Sequence, residues 1–496
     1  MKRSLNAGIL CAVAWFFVAA LYLGSVAAPA LAQTARPHEA AVRVLMVSDI
    51  HFEPFRDPGK VKKLAAAPVA RWGAILGAPP SADRAGKFAA LQKNCHGKGI
   101  DTDYTLLASS LRAMHADANG ARFITVSGDL LSHDFSCKYT TLFPHSTAAG
   151  YQAFAAKTLE FVMHELRGAF PGVPVYAALG NNDSGCGDYH LDASGQFLAA
   201  TGPAMLADVP RAERTPARRD YRALGDYSVT LPAPLRRTRL LVVDDLFMSE
   251  KYATCGGKHD AAPAAEQIAW LRSQLERARR NREQVWVMSH IPPGIDPFST
   301  IRKMTNVCAG DKPAMFLSSD ALPAAIADFG DVVRLAIFAH THMDELRLLR
   351  APEPGKHENP VALKMIPSIS PVHGNNPSFV IASVDAATAV LKDYRVIAAS
   401  NLTGVDTKWS EEYDFDRAYD EPAFSSASVE QLIAGFRADA RAKTQASEDY
   451  LRDYYVGDRS QLLKLFWPEY VCTLDHYTAA GFKACMCGAK AQPAAH

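Results

Sequence analysis

Eight short apolar runs, many of them rich in β-branched residues, recur along the chain: 42–48, 123–127, 173–179, 240–244, 285–288, 332–338, 361–366 and 379–384. Runs of this length and composition predict buried strands. Between some of them the apolar positions return at helical spacing. Tyr151, Phe154, Phe161 and Val162 fall near one face of a helix over 150–167, and Ile268, Leu271 and Leu275 do the same over 263–280. Strands alternating with helices, followed by a late run of strands, predict a layered α/β sandwich over 41–400. Residues 53–105 and 203–222 are rich in Pro, Ala, Arg and Lys, carry weak periodicity and read as insertions on that scaffold. After Asn401 the pattern changes. The stretch "KWSEEYDFDRAYDEPAFSSASVEQLIAGFRADARAK" is aromatic first and amphipathic afterwards, with Ser425–Ser428 as a helix start. It predicts a helical, Cys-containing subdomain over 401–496.

The first residues follow none of these patterns. Lys2 and Arg3 precede an apolar run from Ala7 to Leu23, and small residues lead to Ala30-Leu31-Ala32. This is a secretory signal pattern over 1–32 with cleavage after Ala32, which places the mature chain in the periplasm or outside the cell. An uncleaved anchor is the rival reading of the same run. No later stretch is long and apolar enough to span a bilayer, so no stable membrane insertion is expected after cleavage. The cysteines agree with export. Of nine, Cys11 leaves with the signal, and Cys95, Cys137, Cys186, Cys255, Cys308, Cys472, Cys485 and Cys487 remain. An even number in an exported chain predicts disulfides. The pairing stays open, although Cys472 is expected to close a small loop with Cys485 or Cys487; a thiolate metal site there is the alternative. A net charge of +1 offers no basic excess for a nucleic-acid duplex.

Chemistry collects where the apolar runs stop. Asp49 and His51 follow the first, in "VSDIHF". Gly128 and Asp129 follow the second, in "VSGDLLSHD". Gly180 and Asn181 follow the third, in "YAALGNNDSGC". His290 follows in "MSHIPPG", and His340 and His342 in "FAHTHMDE". Taken singly, an Asp or Asn after a strand is a turn former, and a lone His is a surface or satisfied core residue. Five such ends together place carboxylates, imidazoles and one amide where layered α/β folds build their sites. That donor set, without thiolate, suits two divalent cations such as Zn, Mn or Fe. Such a pair about 3.5–4 Å apart clamps the oxygens of an anionic phosphoester and lowers the pKa of a bridging water. One carboxylate must then sit between the cations. Gly128 permits the tight turn and Asp129 supplies the bridge.

In this order, D-x-H, G-D, G-N, H and H-x-H resemble the signature of calcineurin-like metallophosphoesterases over residues 49–342. The resemblance implies a four-layer αββα sandwich around a dinuclear centre. It assigns Asp49, His51, Asp129 and His342 to one metal, and Asp129, Asn181, His290 and His340 to the other. A narrower likeness, carried by "GDLLSHD", "SHIPPG", "HTHMDE", "PSISPVHGNNPSF" and "WSEEYDFDRAY", is to the acid sphingomyelinase-like phosphodiesterase branch. Full-length acid sphingomyelinases carry a saposin domain before the catalytic one. Here about nine residues separate Ala32 from the first predicted strand. The chain is therefore similar to the saposin-free members, several of which act on nucleotides or other soluble phosphoesters.

One position departs from the pattern. Most of the superfamily reads G-N-H-D or G-N-H-E, whereas this chain has Asn182 in place of the His that serves as general acid. An amide donates no proton at useful pH. The G-N-N-D variant also resembles endopolyphosphatases, whose phosphate leaving group needs little protonation. His133, four residues after Asp129, is the replacement candidate: the sphingomyelinase-like branch has a His there that is thought to touch the substrate phosphate. The alternative is a His that merely orients a ligand. Asp183 reads as a support of the ligands or a turn former, Asp344 and Glu345 as supports of the ligands, and His373 as a rim or loop residue. The reading is an exported dinuclear phosphoesterase that attacks a small soluble phosphodiester or phosphoanhydride with metal-bridging hydroxide. A polyphosphatase or nucleotide pyrophosphohydrolase is the alternative enzyme, which a basic channel beside the site would favour. A metal- and phosphate-binding protein without turnover is the alternative outside enzymes.

Overall fold

A computed structural model describes residues 41–351, 359–400, 408–457 and 461–488; the signal-peptide reading of 1–32 lies outside them. Twelve strands form two six-stranded sheets. The first contains β1 (Val42–Val47), β2 (Ile124–Ser127), β3 (Val175–Ala178), β10 (Ser378–Val384), β11 (Leu391–Ala399) and β12 (Trp409–Asp414) in the order β12-β11-β10-β1-β2-β3. The second contains β4 (Tyr227–Thr230), β5 (Thr238–Val242), β6 (Gln284–Met288), β7 (Val333–Phe338), β8 (Glu345–Leu349) and β9 (Val361–Met365) in the order β4-β5-β6-β7-β9-β8. The strands are parallel from β1 to β3 and from β5 through β6 and β7 to β9; the flanking pairs are antiparallel.

The second sheet shows why its strands are apolar at nearly every position. Leu240 and Val242 of β5, Trp286 and Met288 of β6, and Leu335 and Ile337 of β7 join the core shared with the first sheet. The residues between them, Leu241, Val285, Val287, Ala336 and Phe338, join a separate core against the helices Ala262–Asn281 and Ala321–Ala327. A strand buried on both faces has no polar side to show. Phe123 and Trp286 meet across the sheets with ring centroids 5.8 Å apart. Helices including Tyr104–Asp117 and Ala148–Ala169 cover the far side of the first sheet through Leu106, Leu107, Phe154, Leu159 and Phe161. The architecture is thus helix, sheet, sheet, helix. Among the described residues no helix is long and apolar enough to cross a membrane.

The eight predicted runs correspond to β1, β2, β3, β5, β6, β7, β9 and β10, and both predicted helices form. Residues 53–105 and 203–222, expected as insertions, carry short helices, among them Arg84–Asn94 and part of Arg214–Leu224. Past residue 400 the chain adds β12 to the edge of the first sheet before it becomes helical. There the Ser425 hydroxyl accepts from the Ser428 backbone N–H and caps the helix Ser426–Ala438. Four disulfides resolve the open pairing: Cys95–Cys137, Cys186–Cys255, Cys308–Cys487 and Cys472–Cys485. Cys472 therefore closes its loop with Cys485.

Candidate metal centre

Each motif sits on a turn at the carboxyl end of a parallel strand, and both sheets contribute. Asp49 and His51 follow β1, Asp129 follows β2 and Asn181 follows β3, while His290 follows β6 and His340 and His342 follow β7. Five of these residues hold left-handed backbone: Asp49 (φ 45°), His51 (44°), Asp129 (54°), His340 (72°) and His342 (67°). Such residues cost about 1–3 kcal/mol each and cluster where a site needs them. Two glycines let the turns meet. A Cβ on Gly128 (φ 93°) would lie 2.7 Å from His290 Nδ1 and 2.9 Å from the Gly180 nitrogen. A Cβ on Gly180 would overlap the backbone and carboxylate of Asp129.

The seven predicted ligand side chains converge. Asp129 Oδ2 lies 3.5 Å from His51 Nε2 and 3.2 Å from His290 Nε2. Asp49 Oδ1 lies 3.7 Å from His51 Nε2 and 3.5 Å from His342 Nε2. His290 Nε2 is 3.2 Å from Asn181 Oδ1. Side-chain atoms of Asp49, His51 and Asp129 lie within 4.8 Å of one another, as do those of Asp129, His290 and His340, and both are groups that could hold a metal ion.

Surrounding groups aim these ligands inward. His51 Nδ1 donates to the Leu131 carbonyl at 2.9 Å, and His290 Nδ1 donates to the Ser127 carbonyl at 2.7 Å. A carbonyl can only accept, so each Nδ1 carries a proton and each Nε2 is the atom turned to the centre, where a metal ion would displace its proton. Asn181 donates its amide N–H to Asp188 at 2.7 Å, which turns its oxygen toward His290. Asp183 accepts from the backbone of Leu130 and Leu131 through one oxygen and of Gly180 through the other, tying two ligand loops together. Asn182 donates through its backbone to Asp129 Oδ1 (2.8 Å) and through its side chain to Oδ2 (2.9 Å).

A cation fits this arrangement. Asp49 Oδ1, His340 Nδ1 and His342 Nδ1 are buried without a hydrogen-bond partner. The Nε2 atoms of His51 and His342 face each other at 3.0 Å. Burial by itself would lower His51 and His290, but the surrounding carboxylates, Asp129 foremost with Asp49 behind it, together push them up to about 9 and about 10. Burial would raise Asp129, but His290 and His51 hold it below the usual carboxylate range. The carboxylates thus draw positive charge into a desolvated pit, as protons or as metal ions.

His133 joins the cluster. Its ring stacks on His51 at 4.0 Å between centroids, and its Nδ1 donates to Asp101 Oδ1 at 3.0 Å. His373 lies 4.4 Å from the His342 ring and lines the same cleft. Asp344 and Glu345, expected to support the ligands, pair instead with Lys364 and Arg347. Asp101 and Asp188 were missed by the sequence reading. Asp101 lies in the segment read as an insertion, and nothing local marks it. Burial would raise its carboxyl, but His133 holds it well below the ordinary range. Two cavities of about 500 Å³ and about 380 Å³ flank the centre and share His133, Asn182, Asp188 and His373.

A family model described as calcineurin-like phosphoesterase matches residues 42–344. An acid sphingomyelinase-like phosphodiesterase 3b of Mus musculus is 27% identical, covering 89% of this chain and 89% of its own length. A sphingomyelinase phosphodiesterase D of Dictyostelium discoideum is 25% identical over 78% of this chain and 80% of its own. A cyclic GMP-AMP phosphodiesterase of Rattus norvegicus is 23% identical over 64% and 67%.

Gly128→Ala and Gly180→Ala should each separate the Asp129 turn from its neighbours. Elemental analysis after incubation with Zn or Mn is expected to show metal loss in both variants, with the wild-type chain loaded.

Proposed function

As the chain belongs to the calcineurin-like phosphoesterase family, we propose that it is an exported dinuclear enzyme hydrolysing a small soluble phosphodiester. The observation that carries this reading is the convergence of Asp49, His51, Asp129, Asn181, His290, His340 and His342 around buried atoms that lack partners. Asp49, His51, Asp129 and His342 would hold one cation, and Asp129, Asn181, His290 and His340 the other. Bound there, the cation pair neutralises phosphoryl oxygens and acidifies water at neutral pH.

The rest of the chemistry falls to side chains. Asn182 donates to Asp129 through its backbone and its side-chain amide and keeps the shared carboxylate in place. It has no proton to give a leaving group. His133 does: Asp101 orients its ring through Nδ1, which leaves Nε2 to donate to a phosphoryl or leaving oxygen. Two cavities meeting at the centre suit a phosphorus with two substituents. The relatives in the comparison are named phosphodiesterases, which agrees. The polyphosphatase reading called for a basic channel. The larger cavity instead mixes His96 and Lys98 with Asp101, Asp134 and Asp188, so the diester is favoured.

Metal-loaded protein should turn over bis(p-nitrophenyl) phosphate and lose that activity on chelation; absence of turnover with Zn, Mn and Fe alike would reject the enzyme. Asp101→Asn should lower kcat about 10–100-fold while metal content stays constant, as read by steady-state kinetics beside elemental analysis. His133→Gln should slow diesters with poor leaving groups strongly and those with good ones little, so the slope of rate against leaving-group pKa should steepen.

A further inference from the structure

The strands that carry the metal ligands have their carboxyl ends at the centre, so their amino ends form the opposite pole of the two sheets. The five or six residues of β1, β5 and β6 set the poles roughly 17–20 Å apart. Five exposed arginines gather at the far pole. Arg43 lies at the start of β1 and Arg122 just before β2; Arg236 and Arg237 precede β5, and Arg282 precedes β6. The ladders bring them side by side. The Arg122 N–H donates to the Arg43 carbonyl at 2.9 Å, and the Gln284 N–H donates to the Arg237 carbonyl at 2.8 Å.

Neutral acceptors hold the guanidinium groups. Arg43 donates to the Asn119 carbonyl, Arg122 donates twice to the Ala233 carbonyl at 3.0 and 3.2 Å, and Arg237 donates to the Arg282 carbonyl at 3.2 Å. Ala233 lies in the loop before β5, so the Arg122 bond joins the arginines of the first sheet to those of the second. A carbonyl steadies a guanidinium without cancelling its charge. Among the described residues none of the five forms an ion pair. Other arginines take up neighbouring carboxylates: Glu213 and Glu283 pair with Arg239, and Asp331 pairs with Arg279. The whole chain carries only +1, so the pole is a local excess of charge.

The chemistry of the pole selects its partner. The planar guanidinium fork offers paired N–H donors that match phosphate oxygens. A protein partner would need apolar anchors at the middle of its footprint. The exposed large apolar side chains of the described residues, Ile100, Phe298, Met304 and Leu465, all lie in other segments. The chain also ties a membrane to this pole: β1 enters the fold here, and the secretory pattern of residues 1–32 ends about nine residues before it. We propose that the arginine pole docks on the headgroups of an anionic phospholipid surface, a peripheral contact that holds the protein with its metal centre turned to the aqueous side. A centre so oriented meets soluble substrates.

Co-sedimentation of the exported protein with vesicles tests this. Vesicles of phosphatidylcholine mixed with phosphatidylglycerol should bind it at least about tenfold more tightly than phosphatidylcholine alone at low salt, and the gap should close as salt rises. Arg122→Gln, Arg237→Gln and Arg282→Gln combined should weaken binding to the mixed vesicles about 100-fold, at about fivefold for each charge. Lys at the same three positions should keep most of the binding. Arg236→Gln alone, which breaks no hydrogen bond among the described residues, should cost about fivefold. Lys62→Gln with Lys87→Gln, exposed on the segment that leaves the carboxyl end of β1, should change nothing. Metal content and thermal midpoint should stay at wild-type values throughout, which separates lost docking from lost fold. Equal binding to both vesicles, or an equal loss from the Lys62 and Lys87 pair, would overturn the proposal. Retention on immobilised polyphosphate without binding to the mixed vesicles would also overturn it and give the pole to a soluble polyanion.

Discussion

The structure depends on one carboxylate being shared. Asp129 must present an oxygen to His51 on one side and His290 on the other, and these imidazoles come from different sheets. A carboxylate buried at 1% exposure is tolerable only if positive charge reaches it. Every nearby device serves that end. Left-handed turns end the strands abruptly, two glycines let the turns touch, and Asp183 and Asn182 tie the Asp129 loop to the next one. The αββα architecture follows from the same demand, because packing two sheets face to face brings the ends of β1–β3 beside those of β6 and β7.

A second carboxylate layer sits behind the first and sorts the histidines into roles. His51 and His290 are anchored on backbone carbonyls, which can only accept, so Nε2 is the atom turned to the centre. His133 is anchored on the Asp101 carboxylate. The same side chain thus meets a neutral acceptor at Nδ1 in one place and a carboxylate in another. Asn182, beside Asn181, braces the shared carboxylate through its backbone and its side chain.

The region after residue 400 begins as an edge strand of the first sheet and then folds across the cleft mouth. Its tyrosines have no signature in sequence, because an aromatic residue looks the same whether it fills a core or lines a cleft. Only its placement beside His340 and His342 distinguishes the two.

The linear sequence sufficed for whatever is local in cause. Apolar runs determined eight of the twelve described strands, since a segment buried on both faces must be apolar throughout. Polar residues where those runs stop determined the seven converging side chains. What the sequence left out is non-local. The strands β4, β8, β11 and β12 lie toward the sheet margins or mix charge with apolar residues, as in "WSEEYD" and "ELRLL", and become strands because a neighbour offers them an edge. The pairing of eight cysteines, the Asp101–His133 bond across 32 residues and the tyrosines that line the cleft all required the chain to be folded first. Burial and proximity decide them, and neither is a property of any short stretch of chain.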